Sequence, residues 1–357
     1  MDMEIKQEAN YKPTKLKNFM SIKSLLVLIN CIFIAVGQIS GVLLVRIYFL
    51  HGGKRKWLQA FVLTAGFPIL ILPISISYAK KRKNINNRVL VTPKLAIASA
   101  ILGLLLGVCS YLYTFGMSYL PVSISSLLAS TSLAFTAIFA YFIVKHKFTD
   151  YSVNAVVLMM FGSVILGLNM NGDRPIGESN RKYTLGFVMT LVGAAFHGFV
   201  NAGVEYSHVK AGVVVTFDIV MQMQFLISMF STLICIVAMI INKDFQAISR
   251  EAEEFGLGQN KYYMILALSA IALQMMMIGS LGLIFCSSAL LLGIVNALLV
   301  PVQQIFAVMF LPESFKSEKW MALAMCLWGF ASYFYGEYKV SLKKVTKTKQ
   351  ATPRDQV

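Results

Sequence analysis

The chain alternates long apolar runs with short polar or basic clusters. Ten of these runs are long enough to cross a hydrocarbon core of ~30 Å as helices that rise ~1.5 Å per residue. They cover residues 24–50, 57–79, 93–116, 121–144, 150–170, 183–206, 212–242, 262–286, 288–311 and 318–337. This pattern predicts an all-α, multi-pass membrane protein with ten transmembrane helices.

The fourth run, within residues 120–147, is rich in hydroxyl groups along its first half. They belong to Ser123, Ser125, Ser126, Ser130, Thr131 and Ser132. A helix that faces lipid on all sides has no need of such groups. One face of this helix is therefore expected to meet protein, water or a transported molecule.

Composition and charge narrow the class of protein. The chain is 57% hydrophobic and 13% charged, whereas soluble domains are about 25% charged. The net charge of +16 does not indicate a nucleic-acid partner, because Lys and Arg lie mainly in the tails and short loops, where they signal orientation. Their bias predicts that both termini are cytoplasmic. No enzyme motif or metal-ligand spacing occurs, so no catalytic residue, metal or cofactor is expected.

A weak internal similarity at an offset of 167 residues suggests duplication. Ile138-Phe139-Ala140 aligns with Ile305-Phe306-Ala307, and Gly162 aligns with Gly329. A five-helix unit that is repeated must insert its second copy upside down. We therefore predict two inverted repeats at 24–170 and 183–337, a connecting loop at 171–182, a cytoplasmic tail at 1–23 and a basic cytoplasmic tail at 338–357. Chance matching of apolar residues is the alternative.

Several longer segments carry a family resemblance. They are GGKRKW at 52–57, TAGFP at 64–68, YLPVS at 119–123, LAFTAIFA at 133–140, VKHKFT at 144–149 and WGFASYFYGE at 328–337. Together they resemble the plant purine permeases, a branch of the drug/metabolite transporter superfamily. The resemblance implies a ten-helix, five-plus-five inverted-repeat carrier of the plasma membrane that imports nitrogenous heterocycles with protons. Purine bases, cytokinins, nicotine, pyridoxine-like compounds and benzylisoquinoline alkaloids are family substrates.

Departures from the family pattern bear on the substrate. Purine-transporting members tend to have Asp-Asn where this chain has Cys109-Ser110, and Gln where it has Ser132. A purine edge pairs well with an amide, which offers a donor and an acceptor together. The lost groups favour an alkaloid of benzylisoquinoline or nicotine type. A purine or cytokinin importer, and a non-transporting membrane sensor on the same fold, remain alternatives.

Candidate site residues follow from polar positions inside the predicted helices. The expected substrate-binding residues are Gln38, Ser130, Ser132, Asn201, Gln222, Asn296, Tyr111, Phe135 and Trp328. For the aromatic members, ordinary helix packing is the alternative. The expected partners are a heterocyclic amine, protons and membrane lipid.

Proton coupling is expected at Glu205, Asp218 and His197. His197, Asn201 and Glu205 are spaced by four residues and therefore share one helix face. If the sixth and seventh helices are antiparallel neighbours, Glu205 and Asp218 lie at similar depth and can share a proton. The alternative is that both acids are helix-end charges, with Glu205 paired to His208 or Lys210.

Overall fold

Helices make up most of the chain in the computed structural model, which describes residues 2–81, 91–145, 150–168, 179–210, 217–286, 289–311 and 317–351. The helices are Asp2–Leu50 (α1), Lys56–Thr64 (α2), Ile71–Lys81 (α3), Pro93–Tyr119 (α4), Val122–Ser130 (α5), Ser132–Val144 (α6), Asp150–Leu168 (α7), Asn180–Val209 (α8), Phe217–Ile241 (α9), Asp244–Glu253 (α10), Gln259–Cys286 (α11), Ala289–Phe310 (α12) and Ser317–Ala351 (α13). A short 3₁₀ helix, Phe67–Leu70, precedes α3.

Seven helical segments within these described ranges are long and apolar enough to cross a membrane. They are Leu25–Leu50, Lys56–Ala79, Pro93–Tyr119, Val122–Val144, Asn180–Val209, Asp218–Ile241 and Gln259–Ser280. Helices α7, α12 and α13 occupy the three remaining predicted spans, 150–170, 288–311 and 318–337. The all-helical membrane fold is therefore confirmed, while ten crossings and the inverted repeat stay predictions.

Helices extend into both of the tails predicted from the sequence. Helix α1 begins at Asp2 and runs without a break through the predicted tail at 1–23. Helix α13 continues to Ala351, well into the predicted tail at 338–357. Most of the predicted loop at 171–182 lies outside the described residues, and α8 begins at Asn180. There the Ser179 hydroxyl caps the helix by accepting a hydrogen bond from the Lys182 N–H.

Close backbone contact joins α1 to α11. A methyl group on Gly37 of α1 would collide with the carbonyl oxygen of Ala272 and the backbone of Met276, and one on Gly279 of α11 would meet the backbone of α1 at Asn30. Small residues allow helices to approach this closely where van der Waals contact drives association. The pair forms one tightly packed wall of the bundle.

Two of the membrane-length segments are broken. In the second, α2 ends at Thr64 and the 3₁₀ helix intervenes before α3, with the Gln274 amide of α11 packed against Gly66. In the fourth, α5 gives way to α6 at Thr131. The Thr131 N–H and hydroxyl both donate to the Leu128 carbonyl, at 3.1 and 2.6 Å. Side-chain bonding to a carbonyl in the preceding turn bends helices.

The hydroxyl-rich helix α5 lies at the centre of the bundle. Every residue from Val122 to Leu128 is buried, and α5 packs against α1, α4, α7, α8, α12 and α13. Its hydroxyls bond back to their own helix, Ser125 to the Val122 carbonyl at 3.2 Å and Ser126 to the Ser123 carbonyl at 3.1 Å. The hydroxyl pattern thus marks a helix enclosed by protein.

Candidate functional site

The inner face of α8 lies between its contacts with α4 and α6. Gly193 packs against Leu112 and Tyr113 of α4, and Gly198 packs against Phe135 of α6. On a helical wheel of 100° per residue, the sector between these two glycines contains His197, Asn201 and Glu205. The opposite sector holds the exposed apolar residues Val188, Val192 and Phe199. His197, Asn201 and Glu205 thus lie on the side of α8 opposite these exposed apolar residues.

Asn201 is exposed although it lies in this inward sector. The Asn201 amide nitrogen lies 3.4 Å from the Thr136 hydroxyl of α6 and 3.3 Å from His197 Nδ1. An amide nitrogen donates, so this contact fits the His197 tautomer that accepts at Nδ1 and carries its proton on Nε2.

Helix α4 contributes Tyr113 to the same place. Its ring meets the His197 ring edge to face, with centroids 6.2 Å apart, and its hydroxyl lies near the Ser132 side chain. We call Tyr113, Ser132, Thr136, His197 and Asn201 the polar cluster. It joins α4, α6 and α8, and it presents an aromatic face together with several donors and acceptors.

The two acids of the predicted proton site lie on different helices, Glu205 on α8 and Asp218 on α9. Helix α4 packs against both α8 and α9, and a proton shared by Glu205 and Asp218 stays a prediction. Glu205 is half-buried and interacts electrostatically with His208. The Asp218 carboxylate instead accepts a hydrogen bond from the Ser77 hydroxyl of α3 at 2.6 Å, in the first turn of α9.

Three further polar candidates lie apart from the polar cluster. The Gln222 side-chain oxygen accepts from the Val91 N–H at 3.1 Å, at the start of α4. Gln38 is a half-buried residue of α1. It lies between two faces of this helix: one carries Gly37 and packs on α11, and the other is apolar and packs towards α12. Asn296 is half-buried on α12. Of these, Gln38 faces the bundle interior.

The remaining candidates mainly pack against other helices. Ser130 donates to the Leu127 carbonyl at 2.6 Å and approaches the Cys326 sulfur at 3.7 Å. Tyr111 stacks on Trp57 of α2 with centroids 4.0 Å apart, and Phe135 packs on α8. Trp328 is 67% exposed on α13, on the outside of the helix pair that α13 forms with α7. These placements fit structural roles for all four residues.

A charged cluster that the sequence reasoning missed lies at the opposite end of the bundle from the tails. Arg55, in the turn between α1 and α2, meets Asp244 at 3.1 Å and Glu251 at 3.5 Å, both on α10. The Glu251 carboxylate also accepts hydrogen bonds from the hydroxyls of Tyr48 and, at 3.1 Å, Tyr262. Asp244 and Glu251 are only 3% and 7% exposed. Burial raises the pKa of the Asp244 carboxyl, and pairing with Arg55 offsets part of that rise.

Two more basic residues hold the end of α4 beside this cluster. Arg46 is buried and donates to the carbonyls of Met117 and Ser118 at 2.8 and 3.3 Å, where the end of a helix leaves carbonyls unpaired. The Lys56 ammonium lies 3.1 Å from the Tyr119 hydroxyl. The end of the bundle that carries α10 is thus closed by polar contacts, whereas Asn201 is exposed nearer the end that carries the tails.

An apolar helical bundle with a polar cluster and an exposed amide on an inner helix face has the architecture of a membrane carrier for small solutes. A family model described as purine nucleobase transmembrane transport matches residues 25–343. In Arabidopsis thaliana, Purine permease 3 is 41% identical over 319 residues, covering 88% of this chain and 91% of the relative. Purine permease 2 is 39% identical over 336 residues, covering 90% and 94%. The chain belongs to the purine permease family.

Proposed function

We propose that this protein carries purine nucleobases, or close heterocyclic relatives such as cytokinins, across a membrane by alternating access. Membership of the purine permease family along residues 25–343 is the observation that carries the proposal. The relatives are permeases by name, which also supports transport rather than catalysis. The comparisons favour this substrate class over the alkaloid expected from the sequence.

The polar cluster suits a flat base with adjacent donors and acceptors. His197 Nε2–H can donate, the Asn201 amide offers both kinds of group, and the Ser132 hydroxyl can do either. The Tyr113 ring offers a surface for stacking. A benzylisoquinoline or nicotine-type alkaloid lacks the adjacent donor and acceptor of a purine edge and would use fewer of these groups. We therefore assign base recognition to the polar cluster, with Gln38 as a further lining residue.

Proton coupling is part of the proposal. Glu205 lies on the same face of α8 as His197 and Asn201, one turn nearer the end where the cluster is exposed. A half-buried carboxylate there can bind a proton that accompanies the base. The bias of basic residues supports cytoplasmic termini, and family resemblance supports import across the plasma membrane.

Reconstituted protein tests this function directly. Purified protein in liposomes should accumulate labelled adenine, and an inward proton gradient should increase the uptake. Asn201→Ala should reduce adenine uptake about tenfold, because losing a good amide contact to a base costs on the order of 1–3 kcal/mol. Asn154→Ala is the matched control, since Asn154 is an exposed amide on α7 that bonds to Ser332. Glu205→Gln should keep adenine binding and lose the response to the proton gradient.

The same liposomes separate the competing functions. Uptake of a benzylisoquinoline, with no uptake of adenine or a cytokinin, would contradict the proposal and restore the alkaloid interpretation. Adenine binding without any flux would indicate a sensor instead. Equal adenine uptake by Asn201→Ala and Asn154→Ala would remove the polar cluster from base recognition.

A further inference from the structure

Gln304 is a buried amide on α12. It is 1% exposed, and neither its side-chain nitrogen nor its oxygen has a partner among the described residues. A buried polar group left unsatisfied costs about 1–3 kcal/mol. A leucine at this position would avoid that cost, so the amide calls for a functional explanation.

The surroundings of Gln304 explain why it has no internal partner. One turn away on either side of the same face, Val300 belongs to an apolar cluster with Ile124, and Ala307 belongs to another with Val122. Gln304 therefore faces α5, the central helix. The nearby α5 hydroxyls of Ser125 and Ser126 donate to carbonyls of their own helix, so their protons are not available to the amide.

We propose that Gln304 reads the hydrogen-bonding edge of the transported base, an inference that rests on the proposed function and names its specificity-determining residue. The amide presents one donor and one acceptor side by side, which match the adjacent acceptor and donor on the edge of adenine. Base binding satisfies both groups at once.

This contact forms in a different stage of the transport cycle from the one seen here. The α10 end is closed in this structure, and α5 covers Gln304. Helix α5 is short and ends at the break at Thr131, so it can move separately from α6 when the α10 end opens. Broken helices at the midplane form the substrate sites of other carriers with discontinuous helices. An amide held unpaired under α5 is then ready for a base that enters from that end.

The test compares adenine with 6-methylpurine, which keeps the ring acceptors and loses the amino donor. Wild-type protein should bind adenine about tenfold more tightly than 6-methylpurine, as expected for one amide–base pair. Gln304→Leu should bring this ratio close to one. Gln303→Leu is the control: Gln303 is 2% exposed on the adjacent position of α12, and its loss should leave the ratio unchanged.

Stability without ligand gives the second readout. If Gln304 has no structural partner, Gln304→Leu and the similarly shaped Gln304→Met should melt at or above the wild-type temperature. A clear loss of stability in both variants would show that the amide has a partner within the protein and would overturn the inference. An unchanged ratio in either variant, with normal wild-type adenine uptake, would overturn it and leave the proposed function intact. Wild-type protein that binds no purine would overturn both.

Discussion

Replacing Arg55 by glutamine tests whether the charged cluster holds the α10 end closed. Arg55 is the base that lies between the buried carboxylates of Asp244 and Glu251, at 3.1 and 3.5 Å. Glutamine keeps much of the side-chain length and some hydrogen bonding but removes the charge. The variant therefore leaves two carboxylates at 3% and 7% exposure without this counter-ion.

The expected loss of stability follows from these burial values. Removing one partner of a fully buried ion pair costs about 3–5 kcal/mol. Here the Arg55 side chain is 29% exposed, and Glu251 keeps hydrogen bonds from Tyr48 and Tyr262. Solvent screening and these remaining donors reduce the expected cost to about 2–3 kcal/mol. For a large chain this corresponds to a fall in Tm of roughly 5 °C.

Thermal unfolding in detergent, with adenine uptake in liposomes, measures both consequences. Arg250→Gln is the matched control, because it removes the same charge from an exposed position on α10. Adding Asp244→Asn to Arg55→Gln should recover part of the lost stability, since one unpaired carboxylate is removed with the arginine. If Arg55→Gln and Arg250→Gln melt together, the ion pairs do not stabilise this end. In a Trp57→Cys background, faster reaction of the new thiol with a thiol reagent when Arg55→Gln is added would report opening of the same end.

Three further changes probe other parts of the structure. Asp244→Asn alone should leave Tm at neutral pH unchanged or higher. The pKa of the Asp244 carboxyl is raised above 3.8 in the folded protein, so this group stabilises the fold below pH 3.8 and loses that contribution as the pH rises through the raised pKa. The variant should therefore flatten that part of the plot of Tm against pH. Gly37→Val should lower the free energy of unfolding by at least ~3 kcal/mol, or prevent folding, because the valine side chain would collide with the α11 backbone. A melting curve like that of the wild type would contradict the packing of α1 on α11. Thr131→Val should cost about 1 kcal/mol in chemical unfolding by removing the bond to Leu128, and no change would remove the hydroxyl from the helix break.

Periodicity and hydropathy predict the helical membrane fold because they reflect local chemistry along one helix. The inward direction of His197 and Asn201 could be predicted in the same way, from spacing alone. Which helices are neighbours depends instead on contacts between distant parts of the chain. A short connection between the predicted sixth and seventh spans suggested contact between them, but it gave no sign that α8 and α9 each pack against α4. The Arg55 cluster was missed for the same reason, since its charges come from two polar segments 189 residues apart.

The substrate prediction depended on amides counted at fixed positions, and the fold changes that count. The sequence has Ser132 and Cys109 where relatives tend to carry amide or acid groups, which argued against a purine. In three dimensions, however, Asn201 of α8 reaches Thr136, one turn from Ser132 on α6, so an amide from a neighbouring helix lies beside the position where one is lost. Gln304 adds a buried amide whose nitrogen and oxygen have no partner among the described residues. A carrier for apolar amines would bear the cost of burying that amide without using it, whereas a carrier for bases uses both its donor and its acceptor.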